Sequence, residues 1–169
     1  MSTSDGTPLD LKRTPPVDLT RIVARASAAA FDRPLVTNVL RAMLVEAMIA
    51  EALEPAWRWC AADYANWDFE NSEGLKLEVK QSAAWQSWST PDSKSSRIQF
   101  DIAPRRYHWA VETGWVPAGN RVADIYVLAH NPVTEARADH RDPRQWLFHV
   151  VATRCLPPTR TILLPAVER

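Results

Sequence analysis

The chain reads as an α/β protein, an α+β arrangement with two helices first and a mainly β body after them, organised around one mixed sheet. Three observations carry this reading. The stretches 17–31 and 35–53 are helix-like and are punctuated by Pro16, Pro34 and Pro55. Short strand-like stretches follow, rich in β-branched and aromatic residues and separated by turn residues. No internal repeat, heptad or dinucleotide-type glycine motif interrupts this order, and with only four glycines the chain has little material for one.

The elements follow in turn. Residues 1–16 are polar, contain Pro8, Pro15 and Pro16, and are expected to form a flexible N-terminal arm. Pro16 and Asp18 open a first helix over 17–31. Pro34, suited to the first helical position, opens a second over 35–53, and Pro55 stops it. Strands are predicted at 57–60, 66–70, 75–81, 97–102, 122–129 and 146–152, with loops at 89–96 and 131–143. A length of 169 residues suits one core-bearing domain, taken as 17–169.

Composition narrows the class. Hydrophobic residues at 46% and charged residues at 24% are ordinary for a soluble protein. No apolar run approaches the ~20 residues that span a bilayer, so no membrane partner is expected. No secretory signal is visible, and Cys60 and Cys155 make no disulfide framework, which points to reduced thiols and a cytoplasmic setting. The 20 basic and 20 acidic side chains balance to zero. Nucleic-acid binding usually leaves a basic footprint, but an enzyme needs only a basic groove, and an acidic metal site subtracts from the total. The eight tryptophans are expected mainly in the core or in groove walls, with a minority available to stack on bases.

The stretch Asn66–Lys80 is the most informative. Trp67 and Phe69 alternate with Asp68 and Glu70; Leu75, Leu77 and Val79 alternate with Lys76, Glu78 and Lys80. Period-two alternation on both sides of Asn71-Ser-Glu-Gly74 signals a hairpin with one apolar face. A three-residue loop Ser72-Glu73-Gly74, ending in a left-handed glycine, pairs Asn71 with Leu75 and therefore sets Asp68 opposite Glu78. Trp67, Phe69, Leu75, Leu77 and Val79 then share the core side, and Glu70 faces Lys76. Directly opposed like charges are destabilising, and a divalent cation that takes carboxylate oxygens resolves the conflict. Lys80, on the same side, can hold or polarise a water beside the metal or neutralise charge on a phosphate. A four-residue loop would shift the register and dissolve the pair, leaving a solvated strand face with scattered charges as the other reading.

The second helix adds a related signal. At about 100° per residue, Thr37, Asn38, Arg41, Glu51 and Glu54 fall on one arc, while Glu46 lies roughly opposite among Val39, Met43, Ile49, Ala50 and Leu53. A carboxylate among apolar groups needs a partner or a metal. The alternative is a buried ion pair with an arginine such as Arg97 or Arg121.

A helix-borne Glu, then Asp, then Glu-x-Lys at the end of a hairpin strand resembles the PD-(D/E)XK nucleases. Leu77-Glu-Val-Lys-Gln-Ser82 looks like their central strand. Trp67-Asp68, Glu78-Val-Lys-Gln-Ser-Ala83, Gln86-Ser-Trp88 and Arg121-Val-Ala-Asp-Ile-Tyr-Val127 resemble a group of small bacterial proteins within that superfamily. The resemblance spans roughly 38–152 and implies a restriction-endonuclease-like core, a central mixed sheet flanked by helices. It also implies Asp68, Glu78 and the Val79 carbonyl as ligands of Mg²⁺ or Mn²⁺, with Glu46 holding or orienting a metal. Lys80 would assist the attacking water, and Gln81 would lie near the scissile phosphate. Asn66-Trp67 stands where the name-giving proline would precede Asp68.

Further residues are weighed on both sides. Gln86 and Trp88 suit ordering of the loop after the catalytic strand or contact with nucleic acid. Arg121 and Asp124 suit structural bonds at the mouth of a strand, with substrate contact by Arg121 as the sharper reading. Arg105 and Arg106, in a basic-aromatic cluster with Tyr107 and His108, suit phosphate contact or a solvated loop. His108, His130, His140 and His149 show no zinc spacing, so surface or packing roles are expected. The function implied is a metal-dependent endonuclease acting on DNA in restriction, defence or repair, in which a homodimer would suit two-strand cutting. The alternative is a catalytically inactive nucleic-acid-binding or protein-interaction module that keeps the nuclease fold.

Overall fold

The computed structural model describes residues 18–61, 65–110 and 112–168, so the arm expected at 1–16 lies outside the described residues. The chain divides into two compact units, Met1–Arg33 and Pro34–Arg169. The first unit carries α1 (Leu19–Phe31), which starts where Asp18 caps it: the carboxylate accepts from the Thr20 N–H at 2.9 Å and the Arg21 N–H at 3.4 Å.

In the second unit α2 spans Asn38–Leu53 with Thr37 as its N-cap, so Pro34 is not its first residue as expected. The cause is tertiary. The Pro34 carbonyl accepts from the His140 N–H at 2.8 Å, and the Val36 N–H donates to His140 Nδ1 at 3.0 Å, which holds this segment outside the helix. Because Nδ1 accepts, the proton sits on Nε2 and is donated to the Trp85 carbonyl at 2.9 Å. Burial, with Arg41 nearby, holds the His140 pKa below its usual range. The buried line of α2 is Arg41, Val45 and Ile49 with Ala50, whereas Val39 and Met43 are exposed. The expected apolar arc was therefore rotated, and Arg41 points inward.

The strands are β1 (Trp57–Trp59), β2 (Phe69–Asn71), β3 (Lys76–Ala83), β4 (Gln99–Asp101), β5 (Tyr107–Ala110), β6 (Gly114–Pro117), β7 (Ile125–Asn131), β8 (Leu147–Ala152) and β9 (Thr161–Leu163), followed by α3 (Leu164–Val167). Five form one sheet in the order β1-β2-β3-β7-β8, with two separate ribbons, β4-β9 and β5-β6. Only β3 and β7 run parallel; the other pairs of the sheet are antiparallel. The protein is thus mixed α/β with a mixed sheet. The β5-β6 ribbon and β9 were not among the predicted strands. No helix among the described residues is long and apolar enough to cross a membrane.

Two cores cover the middle of the sheet. Val45 and Ile49 of α2 pack with Phe69, Leu77, Val79, Val127, Ala129 and Trp146. Phe100, Ile102, Tyr126, Leu128, Leu156 and Ile162 form the second cluster. Strand β7 gives residues to both clusters, which is why it reads as a near-continuous apolar run, whereas β3 gives Leu77 and Val79 to the first alone and reads as alternating. Both cysteines are unpaired.

Candidate active site: carboxylates at the open edge of a strand

The hairpin before the site has the three-residue loop. Gly74 sits at φ 77°, its N–H donates to the Asn71 carbonyl at 3.1 Å, and the Asn71 N–H donates to the Leu75 carbonyl at 3.1 Å. The pairs Glu70↔Lys76 and Phe69↔Leu77 follow from that turn. There the ladder ends. The Asp68 N–H donates to the Leu77 carbonyl at 2.9 Å, so the Asp68 main chain does not continue the register to Glu78. Its carboxylate instead accepts from the Val79 N–H at 2.6 Å, taking the place of a strand neighbour. The N–H and C=O of one strand residue leave by the same edge, so the Val79 carbonyl faces this open edge too.

The early end of β2 also changes the two faces. Phe69, Leu77 and Val79 are buried as expected, but Leu75 is exposed. The Trp67 ring lies beneath the Lys76 ammonium, 4.2 Å from the ring centroid, rather than in the core row. With Lys76 held there, Glu70 pairs with Arg58 at 2.9 Å and not with its register partner.

Glu46, Asp68, Glu78, Lys80, Gln81 and Arg105 help line one cleft of about 280 Å³. Four segments deliver them: α2, the turn before β2, strand β3, and the segment leading into β5. Glu46 Oε2 accepts from the Trp59 indole N–H at 3.0 Å, so neither Arg97 nor Arg121 is its partner. Burial raises the Glu46 pKa, the Trp59 hydrogen bond opposes this, and the charge of Glu78 adds to it. Asp68 is pushed up to about 7 by burial first, then by Glu78 and Glu46, against the Val79 hydrogen bond and Lys80. Glu78 is only 3% exposed. Its Oε1 receives Lys80 Nζ and, at 3.0 Å, Arg105 Nη2. Its Oε2 is buried and has no hydrogen-bond partner among the described residues. Tyr126, beside Glu78 on β7, is pushed up to about 12 by burial and by that carboxylate.

Among the described residues no group of three or more His, Cys, Asp or Glu side chains is arranged as a ready metal cage. Mg²⁺ does not require one, because it takes one or two carboxylates and keeps several waters. The donor set suits such an ion. Among the described residues one buried Glu78 oxygen lacks a partner, and Asp68 beside it is held above its ordinary range by burial and by its acidic neighbours.

Arg41 is the residue that sequence reasoning placed wrongly. It is 2% exposed and has no carboxylate partner among the described residues. Its Nε donates to Gln81 Oε1 at 2.6 Å, Nη1 to Gln86 Oε1 at 2.9 Å, and Nη2 to Asn38 Oδ1 at 2.8 Å. Burial lowers its pKa to about 10. Gln81 is held from both ends, since its Nε2 donates to the Asn38 carbonyl at 3.1 Å and to Asn38 Oδ1 at 2.9 Å. Arg41 is therefore a positioning residue for Gln81. The signal for it was faint: an arginine four residues before Val45 reads as a solvated arc until tertiary contacts supply amide oxygens.

The remaining residues separate by what their polar atoms touch. Gln86 is buried, with its amide committed to Arg41 and, at 2.6 Å, to the Ala83 carbonyl, so it orders the strand end rather than facing solvent. Trp88 is exposed on the following loop. Arg121 is committed to carbonyls, with Nε on Ile102 at 2.6 Å and Nη2 on Pro157 at 2.7 Å, and Asp124 caps the Lys76 N–H at 2.9 Å. Both act at the mouth of β7. Arg106 is exposed beside Arg105. His130 and His149 stack at 5.2 Å between centroids, and His140 is buried, so these three have packing roles. Compared with protein-family models, curated proteins and solved structures, the chain matches none.

Proposed function

We propose that this protein is a metal-dependent nuclease of the PD-(D/E)XK kind that hydrolyses phosphodiester bonds in DNA. One observation carries the reading: Glu78, which lines the cleft together with Asp68 and Glu46, has a buried Oε2 with no hydrogen-bond partner among the described residues. An unpaired buried carboxylate oxygen is costly, and a divalent cation offsets that cost. The order α2, then β1-β2-β3 as an antiparallel meander, then β7 parallel to β3 supports a restriction-endonuclease-like core.

Asp68, Glu78 and the Val79 carbonyl would hold Mg²⁺ or Mn²⁺, with Glu46 at its margin. The ion supplies Lewis acidity toward a phosphodiester oxygen. The Val79 N–H fixes the Asp68 carboxylate through Oδ2, so Oδ1 would be the oxygen offered to the ion. With a cation held by the carboxylates, Lys80 would orient the attacking water and offset charge on the phosphate. Arg105 stands ready for the same phosphate once released from Glu78. Gln81, fixed by Arg41 and Asn38, lines the approach.

A second reading, a binding module without turnover, is favoured by the way Lys80 and Arg105 close on Glu78 Oε1. Incubation with supercoiled, linear and single-stranded DNA and with RNA, in Mg²⁺ and Mn²⁺, separates the two. Cleavage abolished by Lys80→Ala and by Asp68→Asn supports the nuclease. No cleavage, or cleavage unchanged in both variants, overturns it.

A further inference from the structure

We propose that the exposed face of the β5-β6 ribbon is a base-stacking platform that makes unpaired nucleic acid the substrate class of this site. The inference rests on the nuclease reading and deepens it. The pairs Tyr107↔Pro117 and Trp109↔Trp115, with the two-residue period of a strand, put Tyr107, Trp109, Trp115 and Pro117 on one face. Tyr107 is 57% exposed and Trp115 59%, while Trp109 meets Trp115 edge-on with centroids 5.7 Å apart. A solvated ribbon ordinarily turns polar side chains outward. A patch of large rings on the surface marks a binding site.

The ribbon is attached to the carboxylate cluster at two points. Arg105, two residues before β5, reaches Glu78 Oε1. Asn66, two residues before Asp68, donates from Nδ2 to the Trp109 carbonyl at 2.8 Å and accepts from the Trp109 N–H at 3.2 Å. The segments that aim Asp68 and Glu78 therefore also set where the rings stand. Arg105 lines the cleft, and it and the exposed Arg106 immediately precede Tyr107 in the chain, so a strand whose bases stack on the ribbon has guanidinium groups close at hand. Stacked rings beside arginines suit single strands, because every base has a flat face. In a duplex those faces are already occupied by neighbouring bases. A lipid or protein partner would cover the rings but would have no use for their attachment to the acidic cleft through Arg105 and Asn66.

The test uses the full chain in EDTA, where metal-dependent turnover is absent. Fluorescence anisotropy is followed with labelled oligothymidylate, with the same strand annealed to oligoadenylate, and with oligouridylate. Single strands are expected to bind more tightly than the duplex. Trp115→Leu is expected to weaken single-strand binding about five- to hundred-fold, from ~1–3 kcal/mol per stacked base. Trp115→Phe, which keeps a ring, retains most of the affinity, and Tyr107→Leu gives an independent loss. Equal affinity for duplex and single strand overturns the inference, as does Trp115→Leu and Tyr107→Leu binding like the wild type. Ring-dependent binding of single strands with no cleavage in Mg²⁺ or Mn²⁺ defeats turnover and leaves the platform standing. Cleavage of duplex and single strand alike, unchanged in both leucine variants, leaves the nuclease and removes the platform.

Discussion

Replacing Asp68 with asparagine separates the electrostatics of the site from its chemistry. Asn keeps an oxygen to accept the Val79 N–H, which Asp68 receives at 2.6 Å, but removes one charge from a cluster that includes Glu46 and Glu78. In the native protein Asp68 is raised from 3.8 to about 7. At ~1.4 kcal/mol per pH unit, roughly three units correspond to at most ~4 kcal/mol, and relaxation of Lys80 and water reduces this to ~2–4 kcal/mol. The sign follows from proton binding. The folded chain holds this proton more tightly than the unfolded chain, so the destabilisation is full above about pH 7 and fades as pH falls toward 3.8. In EDTA at pH 8, Asp68→Asn is therefore expected to melt above the wild type by roughly 5–15 °C, with the two converging by pH 4. Millimolar Mg²⁺ or Mn²⁺, binding only the native wild type, should raise its melting temperature and shrink the gap. Circular dichroism melts with and without metal measure both effects. A variant melting at or below the wild type at pH 8 without metal would refute the cluster electrostatics, and a wild type indifferent to either ion would refute the cation site.

Lys80→Ala should cut turnover about 10²–10⁴-fold while keeping the metal-dependent rise in melting temperature; joint loss of both in activity assays and melts would show that Lys80 holds the fold instead. Arg41→Met leaves Gln81 Oε1 and Gln86 Oε1 without their donor and takes one of two donors from Asn38 Oδ1, and urea unfolding should show a loss of ~2–4 kcal/mol, with Arg41→Lys in between. Burial holds His140 neutral and below its usual pKa, so its contribution to stability is fully present above about 6.5 and is lost as pH falls through its lowered value. An NMR titration placing the His140 ring at or above 6.5 would contradict this. Trp59→Phe removes the indole N–H that reaches Glu46 at 3.0 Å; the Glu46 carboxyl should titrate higher still, read by carboxyl-carbon NMR.

Local pattern was enough for some of this protein. Because turn chemistry and strand period are set by adjacent residues, alternation around Asn71–Gly74 determined the hairpin, its glycine turn and its register as far as Phe69↔Leu77, but not the pairing of Asp68 with Glu78. The positions of Asp68, Glu78 and Lys80 near one another followed from that hairpin, and Glu46 was legible as a carboxylate in need of a partner. The order of helices and main strands was also readable, since proline breaks and apolar runs are local signals. The β5-β6 ribbon escaped because its outward face carries rings where alternation ordinarily marks a core.

Tertiary structure decided the rest. Helix α2 begins at Asn38 and not beside Pro34 because His140, far along the chain, binds Pro34 and Val36. Arg41 turns inward because Gln81 and Gln86, from β3 and the turn after it, supply oxygens that no helical wheel can reveal. Asp68 meets Val79 by its side chain because β2 stops at Phe69, leaving the next N–H of β3 without a strand. Arg105 reaches Glu78 across 27 residues of sequence. Asp68 and Glu78 were written on the two sides of one hairpin, but their burial, the raised proton affinity of Asp68 and the orphaned oxygen of Glu78 arise only when distant segments pack over them and remove water.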